Sequence, residues 1–338
     1  MHIKPMGAGA ALATLALSIG VASIPAGAQD FYKGKTVNII VGFSPGGGYD
    51  TYARTVARFL NKHIPGTPSI VVQNMPGAAS LKSVLYVANA GPKDGTAIGA
   101  FNPGVITDSL LNADKVKIKM NSVAYLGSIT NDFRVCYSWH TSKVKSWDDL
   151  AKGTKYILGS TGKGASSYVN GAILRNVFKF NVQQVLGYPG SAEQRIAIER
   201  GELDGDCGSW SSISEEWIRD KKIHPLVQFT SRRTPDMPPD IPFIGDKADP
   251  QQKQVLNILL AAGALGRPYI MAKEVPKDRL ATMQKAFMAT MNDAGFLAEA
   301  KKQSLPVNPV DGAEAAKIID EIYAAPADIV ALAKKAVE

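Results

Sequence analysis

The sequence predicts an α/β fold of two lobes, each a mainly parallel sheet flanked by helices, with two strands crossing between the lobes. Strand and helix patterns alternate after Tyr32, as in a sheet whose two faces are covered by helices. The alternation starts again near Ser146, which indicates a second unit of the same kind. Extended stretches near 125–139 and 225–231 separate the two units. A chain that leaves one lobe, builds the other and returns makes a hinge that suits closure around a ligand.

The first lobe begins with an apolar run at 37–43, which predicts a strand buried on both faces. The helix after it carries Ala53, Val56 and Leu60 on one face, as expected of a helix packed on a sheet. The remaining predicted elements of this lobe are strands at 69–73 and 96–101 and a helix at 81–90.

The second lobe begins at Ser146, whose capping-box spacing with Asp149 predicts the start of a short helix. Ser191 and Gln194 repeat that spacing and predict the start of another helix. The other predicted elements here are strands at 155–160, 182–188 and 204–210 and a helix at 166–178. The rest of the chain is predicted to be mostly helical, at 251–265 and from Pro276 onward, with a strand at 269–272.

The first 28 residues are predicted to be a secretory signal peptide. A small apolar stretch at 8–24 is followed by an A-x-A cleavage motif at 26–28. A membrane anchor is the alternative, but Pro25 ends the apolar stretch before it reaches the roughly 20 residues that span a bilayer. We therefore expect export and cleavage after Ala28. The predicted domains are a signal peptide over 1–28, lobe 1 over 29–130 plus 232–338, and lobe 2 over 131–231.

Charge and composition give little direct information on function. The net charge of +8 at pH 7 slightly favours an anionic ligand or partner. The basic residues are scattered and no aromatic and basic stripe accompanies them, so nucleic-acid binding is not predicted. His63, His140 and His224 lack the paired spacing of zinc ligands, so we predict no metal and no cofactor.

The two cysteines, Cys136 and Cys207, both fall in strand-like segments. Export would put them where a disulfide can persist. Pairing and two buried free thiols are equally compatible with the sequence.

Four loops of small residues follow predicted strands and precede helices, at 44–48, 75–80, 161–167 and 189–191. In open α/β sheets the ligand crevice lies beyond the carboxyl ends of the strands. Glycine permits close approach to the backbone, and the first N–H groups of a helix favour an anion. Each loop alone is more simply a turn and a cap, but four at equivalent positions predict a site for a carboxylate or other small anion.

Side chains near these loops have two interpretations. Ser160, Thr161, Ser166, Ser167 and Ser191 supply hydroxyl donors for an anion. In a separate role, Asp50 is predicted either to cap its helix or to orient a polar or cationic part of the ligand. The aromatic candidates for lining a pocket, which are alternatively core residues, are Tyr49, Phe101, Tyr168, Tyr188 and Trp210.

The sequence at 42–46 matches the G-x-S-x-G nucleophile elbow of hydrolases, with Ser44 as the nucleophile. The residue after the serine must donate its backbone N–H to the oxyanion, and Pro45 has none. No earlier strand and loop are available to complete the oxyanion hole. We therefore do not expect catalysis. The alternative interpretation is a secreted α/β hydrolase that uses Ser44 as its nucleophile.

Six short motifs occur in a specific order over nearly the whole chain after the predicted signal peptide. They begin with VGFSPGGGYD at 41–50, QNMPGAA at 73–79 and GPKDGT at 91–96, and continue at 159–167, 187–192 and 201–204. In this order they resemble the substrate-binding receptors of tripartite tricarboxylate transporters, the Bug-type periplasmic solute-binding proteins. The chain differs from that family at Ser44, where alanine is usual, and at 206–208, where an apolar strand end is usual.

The resemblance implies a Venus-flytrap receptor of the type II periplasmic-binding class. Such a monomeric, non-enzymatic receptor would capture a mono- or dicarboxylate in the periplasm and deliver it to the permease subunits of a membrane transporter; sensing or adhesion is a further alternative. First-lobe loops would hold the carboxylate through backbone groups and waters, and second-lobe loops would select the rest of the ligand. The predicted ligand-binding residues are Ser44, Pro45, Gly46, Gly47, Gly48, Asp50, Ala78, Ala79, Ser80, Asn102, Thr161, Ser166, Ser167, Tyr188, Gly190, Ser191 and Asp206.

Overall fold

A computed structural model describes residues 1–2, 31–131, 133–230, 233 and 237–338 of the chain. The predicted signal-peptide cleavage site after Ala28 lies outside the described residues. Within these ranges, no helix is both long enough and apolar enough to cross a membrane.

The strands belong to two separate sheets. In chain order they are β1 (Thr36–Val41), β2 (Ser69–Asn74), β3 (Ala97–Ala100), β4 (Val123–Ser128), β5 (Arg134–Trp139), β6 (Tyr156–Ser160), β7 (Val182–Leu186), β8 (Gly205–Asp206), β9 (Ile223–Phe229), β10 (Pro268–Ala272) and β11 (Val310–Asp311).

The α-helices cover the faces of these sheets. They are α1 (Gly48–Leu60), α2 (Leu81–Leu85), α3 (Gly104–Leu111), α4 (Ala113–Val116), α5 (Trp147–Ala151), α6 (Ser166–Ala172), α7 (Ser191–Glu199), α8 (Glu215–Arg219), α9 (Ile244–Lys247), α10 (Pro250–Ala261), α11 (Lys277–Met291), α12 (Ala294–Lys302), α13 (Gly312–Tyr323) and α14 (Ala327–Val337).

The first sheet has the strand order β11-β4-β10-β3-β1-β2. β1 lies parallel to β2 and β3, so that Ile39 pairs with Val72 on one side and Ile98 on the other. β10 is antiparallel to β3 and β4, between which it lies. The helix α1 buries Ala53, Val56 and Leu60, as the sequence predicts.

The second sheet has the strand order β7-β6-β8-β5-β9. β6 is parallel to β7 and β8, whereas β5 is antiparallel to β8 and β9. The chain passes from the first sheet to the second between β4 and β5 and returns between β9 and β10. The predicted fold class of two helix-flanked lobes with crossing strands is confirmed, and both sheets are mixed.

The chain after residue 231 contributes to the cores of both sheets. Leu256 of α10 and Ala333 of α14 pack with Leu158 and Leu226 of the second sheet, although the sequence places these helices with lobe 1. Meanwhile α11 and α12 pack with β1 and α1 of the first sheet. The exact domain boundaries stay a prediction.

Cys136 in β5 and Cys207, directly after β8, form a disulfide. Of the two possibilities that the sequence leaves open, the structure has the bridge. It ties together two neighbouring strands in the second sheet, which carry Arg134 and Asp206 respectively.

Candidate functional site

The loop after β1 lies in direct contact with the loop that precedes α7 in the other lobe. Ser44 donates its backbone N–H to the Pro189 carbonyl at 3.3 Å and its hydroxyl to Glu193 Oε2 at 2.8 Å. From the same helix, Arg195 Nη2 donates to the Gly46 carbonyl at 2.9 Å. Two of the four predicted loops, those after β1 and β7, are therefore in contact.

A second contact between the lobes centres on Asn102, which follows β3. Its Oδ1 accepts hydrogen bonds from the Ser166 hydroxyl at 2.8 Å and the Ser166 backbone N–H at 3.3 Å. It also accepts from the Gly104 N–H at 2.7 Å, which fixes the start of α3. The structure is thus a closed arrangement of the two lobes.

A cavity of about 50 Å³ lies between the closed lobes at the ends of the strands. Both lobes contribute to its wall. The residues that line it are Phe43, Gly47, Gly48, Tyr49, Asn102, Arg134, Thr161, Ser167, Ser191, Gln194, Asp206, Gly208 and Ser212.

Two other hollows, both lined by described residues, are larger, at about 210 and 610 Å³. The first is lined by Asp108, Lys115 and Lys163, and the second by Trp210 and Gln303, among others. We regard the small cavity as the candidate site because it collects the strand-end loops of both sheets, as expected for an α/β ligand crevice.

Gly47 and Gly48 permit the close approach of the lobes at the cavity. A Cβ at Gly47 would lie 2.9 Å from the Ser191 hydroxyl, and one at Gly48 would overlap the Ser212 hydroxyl. A side chain at either position would push the second lobe away. The glycine run therefore allows the backbone of the first lobe to form part of the cavity wall.

The cavity wall includes two buried groups of opposite charge, Arg134 at 4% exposure and Asp206 at 7%. Burial lowers the pKa of the Arg134 guanidinium to about 10. Burial also raises the pKa of Asp206 to about 6, although the Cys207 N–H and the charges of Arg134 and Arg195 act in the opposite direction. Both groups are mainly charged at neutral pH.

Arg267, which precedes β10, brings a further buried positive charge to the interface between the lobes. Its Nη2 donates to the hydroxyls of Ser211 and Ser212 in the second lobe, both at 3.0 Å. Its guanidinium also lies 4.2 Å from the Tyr49 ring centre and 5.0 Å from that of Tyr52. Across the described residues, no carboxylate forms an ion pair with Arg267.

Two buried donors on the cavity wall have no hydrogen-bond partner among the described residues. They are the hydroxyl of Thr161, in the loop after β6, and Nε2 of Gln194, in α7. A buried donor without a partner carries a desolvation cost that a ligand acceptor would remove. Both donors are in the second lobe.

The structure brings part of the predicted site together. The predicted residues that line the cavity are Gly47, Gly48, Asn102, Thr161, Ser167, Ser191 and Asp206. Of the others, Ser44, Gly46 and Ser166 make contacts between the lobes, and Gly190 packs against the Ser44 hydroxyl. Pro45 is exposed and Tyr188 packs with the apolar core of the second lobe.

The loop at 78–80 contacts residues of the site without lining the cavity. Ala78, Ala79 and Ser80 all have positive φ angles, a conformation that non-glycine residues adopt rarely. The Ser80 hydroxyl accepts from the Asn102 N–H at 2.9 Å. Ala79 packs against Gly162 of the second lobe. None of the three lines the cavity.

Asp50 holds the glycine loop in shape and does not line the cavity. Its carboxylate accepts from the Gly46 N–H at 2.9 Å, from Arg54 Nε at 2.9 Å and from Asn74 Nδ2 at 2.8 Å. Burial alone would raise the pKa of Asp50, but these hydrogen bonds together lower it. Of the two roles that the sequence suggests for Asp50, the geometry favours the local one.

The capping box predicted at Ser191 and Gln194 is wrong. Helix α7 begins at Ser191 with Gly190 as its N-cap residue, and no side chain caps it. The Ser191 hydroxyl instead lies next to Gly47 of the first lobe, and Gln194 lines the cavity. By contrast, the capping interaction predicted between Ser146 and Asp149 is confirmed.

Tyr49, one of the aromatic candidates for lining a pocket, lines the cavity. The cavity residues that the sequence does not predict are Phe43, Arg134, Gln194, Gly208 and Ser212. Arg134 could have been identified from the sequence, because it is a charged residue at the start of a predicted strand. A buried charge needs a functional or structural partner. Among the described residues, no group of three or more His, Cys, Asp or Glu side chains could hold a metal ion.

No protein-family model matches the chain. A UPF0065 protein from the ttuE-ttuC' intergenic region of Agrobacterium vitis is 26% identical over 224 residues. That alignment covers 65% of this chain and 63% of the relative, so the chain matches less than two thirds of the relative's length.

Solved structures match over almost their whole length. The periplasmic binding protein BugD has a TM-score of 0.74 at 19% identity and covers 90% of this chain and 98% of its own. MatC from Rhodopseudomonas palustris with bound malate has a TM-score of 0.71 at 18% identity, covering 90% and 99%. Rpa4515 from R. palustris with adipate has a TM-score of 0.70 at 18% identity, covering 89% and 97%. The predicted resemblance to Bug-type receptors is confirmed at the level of the fold.

Proposed function

We propose that the chain is a periplasmic solute-binding receptor that closes its two lobes on a small carboxylate and delivers it to a membrane permease. The observation that carries this proposal is the pair of buried, unpartnered donors, Thr161 and Gln194, in a cavity between closed lobes. A carboxylate has the acceptor atoms that these donors lack. The ligand-binding residues proposed here are those that line the cavity.

Electrostatics support an anionic ligand. Arg134 is buried in the cavity wall and Arg267 lies buried beside it, so two guanidiniums are close to the space between the lobes. Serine hydroxyls and aromatic faces surround Arg267 without neutralising its charge. In a medium of low dielectric constant this positive potential acts strongly on a small anion.

The comparisons agree with a carboxylate ligand, since MatC and Rpa4515 were solved with malate and adipate. Those ligands belong to the two R. palustris proteins. For this chain they identify reasonable first probes. The periplasmic location and the transporter partner are likewise proposed from the fold and from the resemblance of the motifs.

A hydrolase that uses Ser44 is the rival function. The Ser44 hydroxyl donates to Glu193 across the cleft, and no histidine of the described chain hydrogen-bonds to it. Pro45 also lacks the N–H that an oxyanion hole needs. This geometry favours a receptor, in which Ser44 helps to hold the lobes together.

Thermal shift and calorimetry with a panel of small carboxylates that includes malate and adipate test the proposal. A ligand that binds only the folded state stabilises it by about 2.7 kcal/mol at a hundredfold excess over its Kd. In Thr161→Val the affinity should fall about tenfold or more, because a hydrogen bond to a charged group is lost. A panel in which no carboxylate raises the Tm would contradict the proposal.

Thr130→Val is the matched control. The Thr130 hydroxyl is also buried and has no partner in the described part of the chain, but Thr130 does not line the cavity. Neither substitution removes a hydrogen bond between described residues, so both variants should keep wild-type stability without ligand. Equal affinities of the two variants would exclude Thr161 from the site. Delivery is tested separately, by asking whether uptake of the bound carboxylate requires both this chain and a permease.

A further inference from the structure

The buried carboxylate of Asp206 restricts the chemical class of the ligand more closely than the positive charges of Arg134 and Arg267 do. Asp206 ends β8, in the interior of the second sheet, and its side chain lines the cavity. Its Oδ1 accepts from the Cys207 N–H at 2.7 Å. Among the described residues, no basic side chain lies within 4.0 Å of it to form an ion pair.

A second carboxylate on the ligand would face this group at short range. Two anions in a partly buried space of low dielectric constant repel each other strongly. Burial raises the pKa of Asp206 to about 6, which still leaves most of it ionised at neutral pH. A hydrogen-bond donor, and above all a cation, is the complementary neighbour for Asp206.

The rest of the cavity has the opposite polarity. Thr161 and Gln194 offer buried donors without partners, and Gln194 is only 3% exposed. These donors suit the oxygens of a carboxylate, whereas Asp206 suits an ammonium group. The cavity is also small, at about 50 Å³, so both ligand groups must belong to one compact molecule.

We infer that the ligand is a small amino carboxylate, whose ammonium group binds Asp206 while its carboxylate binds Thr161 and Gln194. This inference rests on the proposed receptor function and names the ligand class of the same site. Asp206 is then the residue that determines specificity. It selects for an amino group and against an unsubstituted dicarboxylate.

The test uses two trios of probes that differ in one substituent: alanine, lactate and propionate, and aspartate, malate and succinate. Calorimetry on the full mature chain should show that the amino member of at least one trio binds at least tenfold more tightly than its two analogues. In Asp206→Asn that preference should fall at least tenfold, because the amide carries no charge to pair with the ammonium.

Asp108→Asn is the matched control, since Asp108 is a partly buried acid that lines the separate 210 Å³ hollow. It should leave the preference unchanged. If the amino member binds most tightly in neither trio, or if the preference is unchanged in Asp206→Asn, the inference is overturned while the receptor function stays intact. Failure of all six probes, together with a silent carboxylate panel, would overturn both.

Discussion

The Ser44 hydroxyl donates a 2.8 Å hydrogen bond to Glu193, joining the first loop of one lobe to the first turn of α7 in the other. Gly190, which caps that helix, leaves just enough room for the same hydroxyl. The serine of the apparent nucleophile elbow is thereby a contact between the lobes. Its environment depends on closure, so substitutions here should act on ligand affinity.

Gly190→Ala should weaken ligand binding because it disfavours the closed arrangement of the two lobes. Gly190 has a φ of −172°, an extended conformation that alanine adopts readily. In the closed arrangement, however, its Cβ would overlap the Ser44 hydroxyl. Overpacking of this kind costs about 1–3 kcal/mol, so the affinity for the carboxylate found in the panel should fall about five- to 150-fold. Calorimetry gives the affinity, and thermal unfolding without ligand gives the stability.

The double variant Ser44→Ala/Gly190→Ala provides the control for that prediction. Removing the Ser44 hydroxyl frees the space for the new methyl group, so the double variant should bind more tightly than Gly190→Ala alone. Ser44→Ala by itself should weaken binding by about 1.5 kcal/mol, the lower end of the range for a hydrogen bond to a carboxylate, because this one is only partly buried. If the second substitution gives no rescue, steric overlap with Ser44 is not the cause.

Arg267→Met should reduce carboxylate affinity about tenfold or more. The substitution removes a buried positive charge near the cavity and the two hydrogen bonds to Ser211 and Ser212 that join the lobes. Arg267→Lys should lie between wild type and Arg267→Met, because lysine keeps the charge but cannot reproduce the planar donor fork. Titration of all three proteins with the same carboxylate measures the order.

Arg279→Met is the control for Arg267. Arg279 also packs on an aromatic ring, at 3.6 Å from the Phe31 centre, and donates to the Asp94 carbonyl, but it does not touch the cavity. It should change stability more than affinity. Wild-type affinity in Arg267→Met would show that this charge does not help to bind the ligand.

The strand-end loops of the site could be predicted because their cause is local. Gly47 and Gly48 follow a buried strand at the start of a helix, and that order alone places them at the crevice. Asp206 is predicted from the departure of residues 206–208 from the family pattern. Local patterns also gave the alternating elements and therefore the two sheets.

The remaining site residues depend on contacts that sequence patterns do not record. Arg134 lines the cavity because β5 lies beside β8 in the folded sheet. Along the chain, Arg134 and Asp206 are 72 positions apart. Ser191 has the sequence of a helix cap, yet the opposite lobe provides its neighbour, Gly47. Similarly, the sequence at 251–265 predicts a helix, α10, without indicating which lobe will cover it.

Removal of the disulfide should lower the stability of the second lobe, which carries Arg134 and Asp206 of the cavity wall. Cys136 and Cys207 are separated by 71 positions, so the bridge strongly restricts the unfolded chain. Cys136→Ala/Cys207→Ala should lower the free energy of unfolding by about 2–5 kcal/mol. Chemical denaturation with and without reductant measures this, and reductant should not affect the variant. Thiol titration of the denatured, unreduced wild type should detect no free thiol; two free thiols would contradict the bridge.

Asp206 should make the stability of the ligand-free protein fall as the pH rises from 4 to 7. Its pKa is raised to about 6 by burial, so over this range the folded protein retains a proton that the unfolded chain has already lost. The unfolded state then binds fewer protons than the folded state, and the free energy of unfolding decreases with increasing pH. From the size of the shift, the decrease due to this group is at most about 3 kcal/mol.

Asp206→Asn isolates this contribution from other titrating groups, such as Asp293, whose pKa is lowered to about 2 mainly by its hydrogen bond from Lys62. Urea unfolding of both proteins at pH 4, 5, 6 and 7 gives the difference in free energy of unfolding, wild type minus variant. That difference should become less favourable to the wild type as the pH rises through 6. A difference that is constant over the series would show that Asp206 titrates normally, and that its carboxylate is therefore not confined in the closed cavity.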